Sequence, residues 1–263
     1  PITLKQRSVR RPFSILHLLV GIMRIPRIYT QQPLQNNTLI ELEPQASQHL
    51  SKVLRMKEGA ELILFNGQGG QYTGVIHQLA KKQLTIEIND KQDGDKQSPL
   101  AIHLGIAMSK GDRMDWVMQK STEIGITQIT PLYTERTEVK LKGDRAKKKA
   151  EHWQQVIISA CEQSGRNQLM RLQQPLPLSE WLLSTQADKK LVLHHRSDQG
   201  LNDNEKPNSI ALLVGPEGGL STDEISQSKR HGFSALTIGP RVLRTETAPI
   251  AAASILQYLW GDF

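Results

Sequence analysis

The carboxyl-terminal part of the chain carries the feature that most limits its fold, one grammar used twice. An apolar run from Ile210 to Val214 enters Gly215-Pro216-Glu217-Gly218-Gly219-Leu220, and a helix follows from Ser221. A second apolar run from Ala235 to Ile238 enters Gly239-Pro240-Arg241-Val242-Leu243-Arg244-Thr245-Glu246-Thr247-Ala248, and another helix follows near Pro249. In open α/β sheets ligands bind in the crevice beyond the carboxyl ends of the strands. Two such turns side by side therefore predict a pocket walled largely by main chain. Gly215, Gly218 and Gly219 permit positive φ and close approach of a ligand, while Pro216 and Pro240 stiffen the turns. Ser221-Thr222-Asp223-Glu224 has the spacing of a capping box, and Gly232, after Lys229, Arg230 and His231, is its expected stop. Glycine-rich turns alone suit any strand-to-helix connection. Arg244, Thr245, Glu246 and Thr247 do not: a plain surface loop has no structural use for that string, which reads as functional.

Composition sets only broad bounds. A chain of 263 residues holds one large domain or two modest ones, and 38% hydrophobic with 22% charged residues suits a globular protein. The pI near 9.5 points to a nucleic-acid partner. Residues 1–22 contain Lys5, Arg7, Arg10 and Arg11 without an acid, so they supply +4 of the formal +7 and leave only +3 for the rest. Basicity is a hint. One cysteine, Cys161, excludes an internal disulfide; it sits on an apolar helical face and reads as core. No apolar run is long enough to span a membrane.

Residues 1–22 resemble the charged and apolar regions of a signal peptide but lack its small-residue cleavage site. Met23-Arg24-Ile25-Pro26-Arg27 reads as the natural start, with 1–22 an upstream extension outside the fold. From Ile28 to about Asp95 the pattern is β-rich. Leu39, Ile40 and Leu42 form a strand. Pro44 opens a short helix with Leu50, Val53 and Leu54 on one face. Leu62 to Phe65 and the alternating Leu84, Ile86 and Ile88 are further strands. Asn66-Gly67-Gln68-Gly69-Gly70 joins two strands and is a hairpin rather than a dinucleotide loop. Several short strands in this span predict a small barrel, with Arg24, Arg27, His49, Lys52, Arg55 and Lys57 available to RNA phosphates. Asn89 to Pro99 is the candidate linker.

Beyond it the pattern turns α/β. Strands are predicted over Leu100–Met108, Ile126–Leu132 and Leu191–His194, with helices through Met114–Ile124 and Ala150–Ser164 and a polar loop from Arg196 to Asn208. Ser109-Lys110-Gly111-Asp112-Arg113, Glu135-Arg136-Thr137 and Glu162-Gln163-Ser164-Gly165-Arg166-Asn167 stand at element ends, where the sheet could bring Lys110, Arg136 and Arg166 near the pocket. A Walker lysine, a Cys-x-x-Cys pair and a His-Glu-x-x-His motif are all missing from the sequence, which disfavours phosphoryl transfer and zinc chemistry.

Gly215-Pro216-Glu217-Gly218-Gly219, the run from Ile238 through Leu243-Arg244-Thr245-Glu246-Thr247-Ala248, Glu162-Gln163-Ser164-Gly165-Arg166 and the Met23-to-Arg27 start together resemble the RsmE-type 16S ribosomal RNA uridine-N3 methyltransferases of the SPOUT superfamily. The resemblance runs from Met23 to the end. It implies a PUA-like β-barrel over 23–95 that binds RNA, followed by a knotted α/β methyltransferase domain over 96–263. It also implies the cofactor S-adenosylmethionine, a homodimer, a metal-free reaction, a cytoplasmic location, and a target uridine in the small ribosomal subunit. Leu193, Leu213, Gly215, Gly219, Ile238, Gly239, Leu243 and Thr245 are the expected cofactor contacts. Arg244 is the expected stabiliser of an imide anion, with Glu246 or Glu217 as candidate proton acceptor and solvent an equal alternative. Arg27 and Arg55 on the first domain, and Lys110, Arg136, Arg166 and Asn167 on the second, are the expected RNA contacts. Two rival readings share most of these features: a knotted methyltransferase acting elsewhere on RNA, such as at a ribose 2′-oxygen, and a ribosome-assembly protein that binds RNA without catalysis.

Overall fold

The computed structural model describes residues 25–80, 83–94, 96–141, 143–194 and 206–263. The segment before Met23, the Met23-Arg24 start and most of the Arg196-to-Asn208 loop lie outside the described residues.

The first sheet is built from β1 (Arg27–Tyr29), β2 (Thr38–Glu41), β3 (Glu61–Phe65), β4 (Gln71–Leu79) and β5 (Leu84–Gln92), in the order β1-β3-β4-β5-β2. β1 runs parallel to β3, and the remaining pairs are antiparallel. The alternation anticipated for Leu84, Ile86 and Ile88 is realised: all three are buried together with Ile40, Leu62, Leu64 and Ile76, as the period of two requires when one sheet face is covered. The helix opened by Pro44 behaves differently from expectation. α1 (Pro44–Gln48) passes into a π-helical turn from His49 to Val53, in which the Leu54 amide donates to the His49 carbonyl. That wider turn breaks the 3.6-residue spacing. Leu50 alone enters the core, while Val53 and Leu54 are exposed at 65% and 42%.

The second sheet is wholly parallel. Its strands are β6 (Ala101–Ala107), β7 (Gln128–Tyr133), β8 (Arg171–Leu172), β9 (Leu176–Pro177), β10 (Lys189–Leu193), β11 (Ser209–Val214) and β12 (Ser234–Leu236). The order is β12-β10-β11-β6-β7-β8, with β9 also on β7. β6 and β11 read as nearly continuous apolar runs because helices cover both faces. On one face lie α2 (Arg113–Glu123), α3 (Gly143–Ser164) and α6 (Thr247–Trp260), whose Met114, Val117, Trp153, Ile157, Cys161, Ala252, Ala253 and Leu256 share one core with Leu104, Ile106, Leu212 and Val214. On the other lies α4 (Leu178–Ser184), whose Trp181 packs with Leu132, Val192, Ala211, Leu213 and Phe233. Neither α4 nor the two short strands before it has a periodicity that announces it in the sequence. Gly105 is the space Trp181 needs: a Cβ there would sit 2.5 Å from the indole ring. α5 (Thr222–Arg230) opens with the expected capping box, Ser221 Oγ accepting from the Glu224 amide and the Glu224 carboxylate from the Ser221 amide.

Beneath α4 a polar group is held neutral. The indole Nε1 of Trp181 donates to His103 Nε2 at 3.1 Å, and Thr130 Oγ1 lies 2.8 Å from the same nitrogen. Burial, with a smaller contribution from the charge of Arg171, pushes the His103 pKa down to about 4. An unfolded histidine titrates near 6.5, so the unfolded chain binds this proton first on acidification. His103 thus contributes stability fully above about pH 6.5, and the contribution fades as pH falls from there toward 4. Chemical denaturation at pH 7 and pH 5 is expected to show a loss of stability on acidification that shrinks in His103→Gln.

Candidate functional site

The two strand-to-turn units meet as expected at the carboxyl ends of β10, β11 and β12. They enclose a cleft of about 510 Å³, within the span typical of small-molecule sites, roughly 300–1,000 Å³. Its walls come from Leu193 and His194 after β10, from Val214 to Leu220 after β11, and from Leu236 to Gly239 and Arg241 to Leu243, with Thr245 and Ala248, after β12. Each wall exists for a local reason. Gly215 has no room for a side chain, since a Cβ would meet the Leu220 main-chain nitrogen at 3.1 Å. Gly239 sits at φ 67°, where the chain turns inward after Leu236. Between Ile238 and Glu246 no main-chain N–H is hydrogen-bonded to another described residue. Much of this loop is exposed, so its main-chain polar groups are open to solvent or to a ligand beside the cleft.

Of the expected cofactor contacts, Leu193, Gly215, Gly219, Ile238, Gly239, Leu243 and Thr245 line the cleft. Leu213 does not. Successive strand residues face opposite sides, and the Leu213 side chain belongs to the core beneath α4, while Val214 belongs to the core on the other face and also lines the cleft. Leu213→Ala is therefore expected to cost stability, about 2–5 kcal/mol in a denaturant titration, while leaving the cleft wall in place. Arg244 is exposed at the cleft's edge, between the lining residues Leu243 and Thr245, and makes no ion pair or side-chain hydrogen bond with a described residue. Glu246, half-buried, is the cap residue that precedes α6. Glu217 is paired with Arg113.

A second cleft adjoins the first. Arg136, Glu217 and Gly218 belong to both, and Met108, Lys110, Gly111, Asp112, Arg113, Glu138 and Val139 complete it. Arg136 Nη1 donates to the Gly218 carbonyl at 2.6 Å, which ties the loop after β7 to the turn after β11. Lys110 is exposed and paired with Glu138.

The remaining expected RNA contacts separate into two kinds. Arg55 is exposed, at φ 51°, without a described partner. Arg27, Arg166 and Asn167 instead form the joint between the two sheets, with Arg166 and Asn167 buried and Arg27 half-buried. Arg166 is 4% exposed and donates to the carbonyls of Thr122 and Ile126 at 2.8 and 2.9 Å. Asn167, at 2%, accepts from Arg27 Nη2 at 2.5 Å and donates to the Gly94 carbonyl at 2.8 Å. Arg27 also bonds Gln71, reaches the Arg166 carbonyl, and lies over the Phe65 ring with its carbon 5.1 Å from the centroid. One turn back on α3, Glu162 accepts from the Tyr29 amide at 3.0 Å. Burial pushes its pKa up, against the opposing pull of that amide and of the charges of His49 and Arg27. Cys161 is fully buried, and burial raises its pKa to about 11, which removes it as a nucleophile. Among the described residues no group of His, Cys, Asp and Glu is arranged to hold a metal ion, and no helix is long and apolar enough to cross a membrane.

A parallel sheet with a main-chain cleft at its carboxyl ends, joined to a small mixed sheet, matches two family models. Residues 96–257 match an RNA methyltransferase domain, and residues 42–89 match an RNA methyltransferase PUA domain. Fold and site are those of an RNA methyltransferase. The ribosomal RNA small subunit methyltransferase E of Buchnera aphidicola from Schizaphis graminum is 39% identical over 91% of this chain and 98% of its own. A crystal structure of the enzyme of that name from Neisseria gonorrhoeae, bound to S-adenosyl methionine, superposes with a TM-score of 0.85 at 39% identity, over 91% of this chain and 99% of that one. A methyltransferase from Legionella pneumophila, in complex with the bound cofactor SAM, does so with 0.89 at 46% identity, over 91% and 100%. The chain belongs to the ribosomal RNA small subunit methyltransferase E family.

The joint has a measurable strength. Arg27→Ala removes a charged donor from three acceptors, on Gln71, Arg166 and Asn167, and hydrogen bonds to charged groups contribute about 1.5–3 kcal/mol each. The expected outcome is a loss of that order in chemical denaturation, with the two halves unfolding in separable transitions.

Proposed function

We propose that the protein transfers the methyl group of S-adenosylmethionine to N3 of a uridine in 16S ribosomal RNA of the small ribosomal subunit. The observation that carries this reading is the cleft whose loop from Ile238 to Glu246 keeps its main-chain donors free, with an unpaired, exposed Arg244 at its edge. An adenine edge and an amino-acid tail are suited to such main-chain groups, and Leu193, Ile238 and Leu243 supply the apolar walls a ring system needs. S-adenosylmethionine, once bound, supplies an electrophilic methyl on a sulfonium.

The residues of this chain then have the following tasks. N3 of uridine carries a weakly acidic imide proton and lies on the pairing edge, so the base must be unpaired or flipped out. Arg244 sets a fixed positive charge beside the O2 or O4 edge, where negative charge develops as the proton leaves. Glu246 is the carboxylate nearest in sequence to accept that proton. The first domain folds as a PUA-like barrel and grips RNA, with Arg55 as one contact; Arg136 and Lys110 receive RNA at the second cleft. The parallel-sheet domain takes the knotted form that the family resemblance implies, with α6 held to the end of α2 where Gln257 bonds the Ile124 carbonyl and Ser98. The outer face of α6, with Ile255, Tyr258 and Leu259 exposed, suits the contact of a homodimer. The setting is the cytoplasm, where small subunits are assembled.

The deciding experiment is methyl transfer from labelled S-adenosylmethionine to small-subunit particles that lack the native modification, followed by nucleoside mass spectrometry. N3-methyluridine is expected; a methylated ribose or another base overturns the assignment of the acceptor. In Arg244→Ala the turnover is expected to fall by about 10²-fold or more with cofactor affinity near wild type. Unchanged turnover would remove Arg244 from the reaction.

A further inference from the structure

The long helix α3 begins with cations where a helix least favours them. From Lys140 to Lys149 the described residues hold Lys140, Arg145, Lys147, Lys148 and Lys149, against the single acid Asp144. The amino end of a helix carries the positive pole of its dipole, so lysines and arginines in the first turns cost stability rather than add it. Crowding them on neighbouring turns adds mutual repulsion.

One member has a structural task. Lys149 donates to Asp115 of α2 at 2.9 Å, beside His152 and the Trp153 indole on the same carboxylate. Burial raises the Asp115 pKa, but the hydrogen bonds from His152 and Lys149 more than offset it and leave it lowered. The others do not share that task. Lys140, Arg145, Lys147 and Lys148 are exposed and make no ion pair or side-chain hydrogen bond with a described residue. Glu151 stands one turn after Lys147 and does not pair with it.

The position of this ridge gives it direction. Val139 lines the second cleft, and the next residue is Lys140. The Asp115 cluster holds the second and third turns of α3 against the first turn of α2, whose first residue, Arg113, also lines that cleft. The ridge therefore extends the cations of the cleft, Lys110, Arg113 and Arg136, outward along α3.

We propose that Lys140, Arg145, Lys147 and Lys148 form a further contact for RNA phosphates, on the methyltransferase half of the molecule beyond the second cleft and separate from the PUA half. It rests on the reading of the protein as an RNA methyltransferase and adds a footprint to it. The ligand is the phosphodiester backbone of the RNA that flanks the target nucleotide. Contacts of this kind fix register and orientation without reading sequence.

The test compares the wild type with the triple variant Arg145→Ala, Lys147→Ala, Lys148→Ala. Alanine is the best helix former and these side chains are exposed, so the helix is retained, as circular dichroism will show. The control variant Lys229→Ala, Arg230→Ala removes exposed charge from the last turn of α5. Binding of a small-subunit RNA fragment is followed across a salt series. Each lost phosphate contact lowers the slope of log affinity against log salt by about 0.7 for single-stranded RNA, so the triple variant is expected to lower it by about 2. Its affinity at low salt should fall on the order of tenfold or more, and its KM for small-subunit particles should rise with cofactor affinity unchanged. The control should keep the wild-type slope. A triple variant with wild-type slope and KM overturns the proposal, and so does an equal fall in the control, which would reduce the effect to net charge. If the wild type methylates nothing, the methyltransferase reading fails by itself, and the salt slopes still decide whether the ridge holds RNA.

Discussion

The working geometry of the molecule depends on the buried guanidinium of Arg166. Its donation to the carbonyls of Thr122 and Ile126 closes the turn between α2 and β7 onto the end of α3. The same turn of chain carries Glu162 and Asn167, which hold Tyr29 and Arg27 of the first strand. A charge at 4% exposure is tolerable only with such partners. Without it, the buried Ile126 carbonyl would lose its donor, at about 1–3 kcal/mol, the Thr122 carbonyl would keep only the Gly125 amide, and the attachment of the first sheet would lose its base. The distance between the first sheet and the main-chain cleft is thereby fixed by a few hydrogen bonds at one helix end.

This joint also accounts for the mixed composition of the core. Phe65, at the end of β3 in the first sheet, is fully buried in the cluster that serves the second, and Tyr29 packs beside it. The two halves are separate sheets that share side chains at their border. Cation and ring meet at the same place, Arg27 over Phe65, so apolar burial and charged hydrogen bonding act on one contact.

Much of the fold was legible from local pattern. The strands that flank the two glycine turns, the capping box at Ser221 and the alternation in β5 rest on rules that operate within a few residues. So did the place of the cleft, because strand-turn-helix units put their turns at one edge of a parallel sheet. What escaped was long-range or a matter of parity. Arg166 and Arg27 carry the same charge as Arg55 in the sequence, and nothing local tells which cations will face carbonyls and which will face solvent. Leu213 and Val214 differ by one position, yet the pleat puts one in the core beneath α4 and the other in the opposite core, where it also lines the cleft. The π-helical turn after α1 shifted Val53 and Leu54 away from a face that regular spacing predicted. Trp181 needs the vacancy at Gly105, which no periodicity announces.

The loop from Ile238 to Glu246 carries a consequence for inhibition. A compound that bonds only to its free N–H groups would be read by atoms every amino acid except proline possesses. Side-chain changes in the loop would leave those groups in place, so substitution offers the target few routes of escape. The vulnerable points are the turns that aim the main chain. At Gly239, with φ at 67°, an altered residue would disturb the natural ligand together with the inhibitor. Resistance arising there would bring its own handicap.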